Sequence, residues 1–77
     1  MAWDRSQDAA QYEAARLLEQ LHERWWVLWG PASRRFFAFH LGPHQATPLR
    51  AVTPQLLDEA IRATERELRS LRSLRPL

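Results

Sequence analysis

The chain has 77 residues, eleven of them Arg and none Lys, with nine carboxylates for a formal net charge of +2, 45% hydrophobic residues including four Trp, and no cysteine. This is enough for one folded domain near the lower limit of what a single core sustains, and the lack of Cys excludes disulfides, thiolate metal sites and a cysteine nucleophile, leaving oligomerisation as the simplest further source of buried area. No stretch approaches the roughly 18–20 apolar residues of a membrane span, and Met1-Ala2-Trp3-Asp4-Arg5 lacks a basic and then apolar signal region, so the cytoplasm is the expected location.

Asp4 and Ser6 are both competent N-caps, and the Gly- and Pro-free, Ala- and Leu-rich stretch that follows predicts a first helix over about residues 4–23. Trp3, Ala10, Ala14, Leu17 and Leu21 recur at helical spacing and form its expected buried stripe, with Asp8, Glu13, Arg16, Glu19 and Glu23 largely elsewhere. At Arg24 the periodicity changes. Trp25-Trp26-Val27-Leu28-Trp29 and Arg35-Phe36-Phe37-Ala38-Phe39-His40-Leu41 are strand-like runs on either side of Gly30-Pro31-Ala32-Ser33, which predicts a β-hairpin over about residues 24–41. A three-residue loop would set Trp29 opposite Arg35, with Trp25, Val27, Trp29, Phe37, Phe39 and Leu41 on one face and Trp26, Leu28, Phe36, Ala38 and His40 on the other.

Residues 42–53, interrupted by Pro43 and Pro48, read as a loop with room for a short extended piece. Thr53-Pro54 then opens a second helix over about residues 54–73: Thr caps, Pro suits the first helical position, Asp58 and Glu59 lie near the positive end, and Leu57, Ile61, Thr64, Leu68 and Leu71 form the stripe. The expected fold is therefore α+β, in the order α-β-β-α, with two hairpin edges that a homodimer would join into a four-stranded sheet.

Chemistry is sparse. His22, His40 and His44 have no metal-binding helix spacing, only Gly30 and Gly42 are available for a phosphate loop, and Glu19 with Glu23 and Asp58 with Glu59 read as solvated helix faces beside arginines. No catalytic residue, metal or cofactor is assigned. His22 is expected at the surface, so that replacing it with Ala leaves stability and binding unchanged.

Two binding readings remain. One is a protein-interaction module, regulatory or adaptor, acting through Trp25, Trp26, Leu28, Trp29, Phe36, Phe37 and Phe39 as a homo-oligomer or with a protein partner; helices on one side leave an aromatic face open for it, and a helix on each face, which would make every aromatic core, still leaves the hairpin edges to pair between two copies. The other is nucleic-acid binding through Arg34 and Arg35 beside the hairpin aromatics, aided by Arg69, Arg72 and Arg75. Against it, the arginines and carboxylates alternate along both helices, the tip arginines serve solubility equally well, and one hairpin lacks the four strands of an RNA-recognition platform.

The block Trp26-Val27-Leu28-Trp29-Gly30-Pro31-Ala32-Ser33-Arg34-Arg35-Phe36-Phe37-Ala38-Phe39 resembles a segment of short actinomycete proteins of unknown function. Their pattern is an aromatic strand, Trp, a small residue, Pro, then Arg and an aromatic Ala-Phe strand, followed by a Pro-rich loop and a helix. The resemblance covers the hairpin well and the helices in outline, implies a bacterial cytoplasmic protein, and supplies no activity or functional residue.

Overall fold

The computed structural model describes residues 8–42 and 46–73. Its elements are α1 (Ala9–Leu21), β1 (Trp25–Gly30), β2 (Arg35–His40), β3 (Leu49–Ala51) and α2 (Pro54–Ser73). The strands form one antiparallel sheet in the order β1-β2-β3, so the α+β class and the α-β-β-α order are as expected, with a third strand built from the Pro-rich connection.

α2 forms where its local signals place it: Thr53 Oγ1 accepts the Leu56 N–H at 3.1 Å and the Thr53 carbonyl accepts the Leu57 N–H. Leu57 and Ile61 have no exposed surface, and Thr64 and Leu68 continue the stripe half-buried.

α1 departs from expectation. Asp4, Ser6 and Trp3 lie outside the described residues, and the residue preceding the helix is Asp8. The helix is also rotated from the predicted stripe. Ala15 and Leu18 are buried, together with Asp8 before the helix and His22 at its end, whereas Leu17 and Leu21 are 49% and 70% exposed. Leu17 and Leu21 are apolar but face outward; the inward side instead carries polar groups that find partners on the sheet and on α2.

The hairpin register is also corrected. The loop has four residues, 31–34, not three: Arg34 N–H bonds the Gly30 carbonyl at 2.8 Å, Arg34 takes a left-handed φ of 58°, and Gly30 pairs with Arg35. Trp29 therefore faces Phe36, and a shift of one residue moves the whole of β2 to the opposite face. Trp25, Val27 and Trp29 now share a side with Phe36, Ala38 and His40.

That side is the core. Trp25, Val27, Trp29, Phe36 and Ala38 are buried against Ala15 and Leu18 of α1 and Leu57 and Ile61 of α2, with Tyr12, Ala14, Leu49 and Ala51 packed around them. Trp29 meets Phe36 with ring centroids 4.6 Å apart, and Trp25 meets the edge of His40 at 4.9 Å. Both helices cover the same face of the sheet.

The two edges of the hairpin are not equivalent. β3 occupies the β2 side. On the other, the Leu41 N–H bonds the Arg24 carbonyl, so Trp26, Leu28 and Gly30 direct their backbone groups toward β2 while Trp25, Val27 and Trp29 direct theirs outward. The outward Val27 N–H donates to Glu19 Oε1 of α1 at 3.0 Å.

Candidate functional site

Alternation along the strands leaves Trp26, Leu28, Phe37 and Phe39 on the side away from the helices. Trp26 is 53% exposed, Leu28, Phe37 and Phe39 are half-buried against one another, and the Trp26 and Phe39 rings lie 5.7 Å apart across the strands. Exposed Leu41, paired opposite Arg24, extends the patch at one end. Phe37 lies over Gly30: a Cβ there would meet Phe37 Cε2 at 2.8 Å, so Gly30 is the residue that lets this ring settle beside the turn.

The seven residues named from the sequence thus divide. Trp25, Trp29 and Phe36 are core, and no partner reaches them in the folded chain; Trp26, Leu28, Phe37 and Phe39 form the open face.

Charge is also divided between the two sides. From Arg24 to Thr53 the sequence holds Arg24, Arg34, Arg35 and Arg50 and no carboxylate, all nine acids lying before or after that stretch. Arg24 and Arg35 follow the parity of the open face, and Arg50 is paired directly with Phe37. All three are exposed and none makes an ion pair among the described residues.

Arg34 has a different place. Its Nη1 donates to both oxygens of Asp8 at 2.8 Å, and its guanidinium sits 5.0 Å from the Trp29 ring centroid. Asp8, 1% exposed, also accepts the indole N–H of Trp29 at 3.1 Å. These contacts fasten the start of α1 to the hairpin tip. Arg69 is exposed on α2, in the layer behind the sheet; the Arg72 side chain and all of Arg75 lie outside the described residues.

His22 is a second correction. It is 7% exposed, not a surface residue, and its Nε2 donates to Asp58 Oδ1 at 2.6 Å, while Arg62 Nε donates to the other Asp58 oxygen at 2.9 Å. These two hydrogen bonds, His22 first, hold the Asp58 carboxyl below its ordinary range against the opposing effect of burial. Asp58 is thus not simply solvated, and Glu19 is bonded to the β1 edge. His40 accepts the Gly42 N–H at Nδ1, 3.2 Å, and Trp25 donates to Glu65 at 3.2 Å.

Among the described residues no group of three or more His, Asp or Glu side chains is placed to hold a metal, and no helix is long and apolar enough to cross a membrane. Buried Asp8 and His22 join helix to sheet and helix to helix, whereas among the described residues no element packs on the open face. Compared with family models, curated proteins and solved structures, the chain matches none.

Proposed function

We propose that this chain is a small non-enzymatic interaction module, with a regulatory or adaptor role, whose binding surface is the open face of its sheet. The observation that carries the reading is the one-sided packing of both helices, which leaves exposed Trp26 and half-buried Leu28, Phe37 and Phe39 contiguous on the opposite face. Scattered apolar residues on a surface require no explanation, but a contiguous aromatic patch marks an interaction site. An unlike partner fits it better than a second copy. Two copies laid face to face would oppose Arg24, Arg35 and Arg50 with the same arginines, and the β1 edge, at which two three-stranded sheets would have to join, has its Val27 N–H bonded to Glu19.

The test compares a surface variant with a core variant. Trp26→Ser with Phe39→Ser removes one cross-strand aromatic pair, a loss of about 1 kcal/mol, while Phe36→Ala cuts into the core at about 3–5 kcal/mol. The double variant should melt within several degrees of the parent, and the immobilised parent should capture a ligand that the matched double variant does not. Unfolding of the double variant comparable to Phe36→Ala, or equal capture by both chains, would remove the reading.

A further inference from the structure

We infer that the ligand of the open face is single-stranded nucleic acid, an inference that rests on the binding-module reading above. The face combines stackable rings with unneutralised cations and, among the described residues, carries no acid. Trp26 and Phe39 form one row across the hairpin, and Leu28, Phe37 and Arg50 form the next across all three strands. Arg24 stands beyond the first row, beside Trp26, and Arg35 beyond the second, opposite Gly30.

This arrangement discriminates between partners. An apolar protein surface would use the rings but would desolvate three arginines with nothing to pair them. An acidic peptide would satisfy the arginines and leave the rings in contact with little. A single strand supplies both complements at once: bases stack on aromatic rings irrespective of sequence, and phosphates reach arginines at the rim. Duplex fits poorly, because its bases are already stacked and their faces hidden. Side chains on one face of a strand repeat at about 6.7 Å, so successive platforms accept bases splayed along an extended strand. The third strand matters here, since it contributes Arg50 and widens the hairpin into a platform.

The experiment is fluorescence anisotropy of labelled oligouridylate and oligothymidylate across a salt series, with tryptophan emission followed in parallel. The expected result is binding at low salt, quenching of the exposed Trp26, and a log–log salt slope of about −2 for three phosphate contacts on a single strand. Trp26→Ala and Phe39→Ala should each weaken binding about fivefold or more, consistent with the loss of one stacked base. The joint Arg24→Gln, Arg35→Gln and Arg50→Gln variant should lose most of the salt dependence, while Arg66→Gln on exposed α2 should bind as the parent does. A preference for the uridylate or the thymidylate identifies RNA or DNA as the source and supports the inference in either case. Equal affinity for the matching duplex, or for polyphosphate with no effect of the aromatic variants, overturns it. Absence of oligonucleotide binding at low salt, with polyglutamate bound in a Trp26-dependent way, overturns the nucleic-acid inference and leaves the open-face reading standing. Absence of both, with equal ligand capture by the parent and the Trp26→Ser and Phe39→Ser chain, overturns both.

Discussion

Asp8 has almost no exposed surface, and an isolated buried carboxylate would be strongly unfavourable; it is tolerated here because Trp29 and Arg34 both donate to it. Arg34 reaches it from a left-handed backbone, which costs a residue with a Cβ roughly 1–2 kcal/mol. Two opposing effects therefore meet at one position and can be separated. Arg34→Ala loses the ion pair and keeps the strain, whereas Arg34→Gly loses the pair and releases the strain, so the Gly variant should be the more stable by about 1 kcal/mol in urea unfolding. Equal stabilities would mean that the loop relaxes once Asp8 is abandoned. The burial of Asp8 was not legible in the sequence. Its donors lie 21 and 26 residues along the chain, and nothing local distinguishes it from the solvent-facing Glu13. The same is true of His22, whose partner is 36 residues away.

At the scale of elements, α1 and α2 are joined by His22, Asp58 and Arg62. Asp58 titrates below its ordinary range in the folded chain, so its contribution to stability is fully present above the unfolded carboxylate value near pH 4 and is lost as the pH falls through the lower folded value. Urea midpoints should therefore fall from about pH 5 toward pH 2, and Asp58→Asn should flatten part of that fall; an unchanged acid limb in the variant would sink the assignment. His22→Ala, expected from the sequence to be silent, should instead cost about 1–3 kcal/mol at neutral pH, because it removes a charge-assisted hydrogen bond from a part-buried carboxylate. Elements whose signals are local were legible: the Thr53-Pro54 start of α2, and the two aromatic runs divided by Gly30-Pro31. Register was not. It turned on whether Arg34 belongs to the loop or the strand, and a tertiary contact with Asp8 helps to set that. The face of α1 was not legible for a related reason, since its inward side carries Asp8 and His22, which are satisfied by distant elements.

Taken whole, the molecule has one dry layer between helices and sheet, and a second sheet face rich in rings and arginines. Sedimentation equilibrium should give the mass of one chain at all concentrations. A mass rising with concentration would show a second copy covering either the open face or the short β3 edge, and only the former would be abolished by Trp26→Ser with Phe39→Ser. The sequence left two arrangements open, one helix on each face or both on one, because a hairpin apolar on both sides is compatible with either. Strand periodicity could not choose between them, since both faces stay apolar in the observed register. The bond from Val27 to Glu19 bears on how such a chain survives in a crowded solution. Trp25 to Trp29 is an uncharged, strongly β-forming run at the rim of the sheet, the kind of segment that recruits like strands from other molecules and seeds fibrils. A carboxylate parked on its outward amide acts as a gatekeeper, occupying a donor that an incoming strand would need and placing a negative charge in its path.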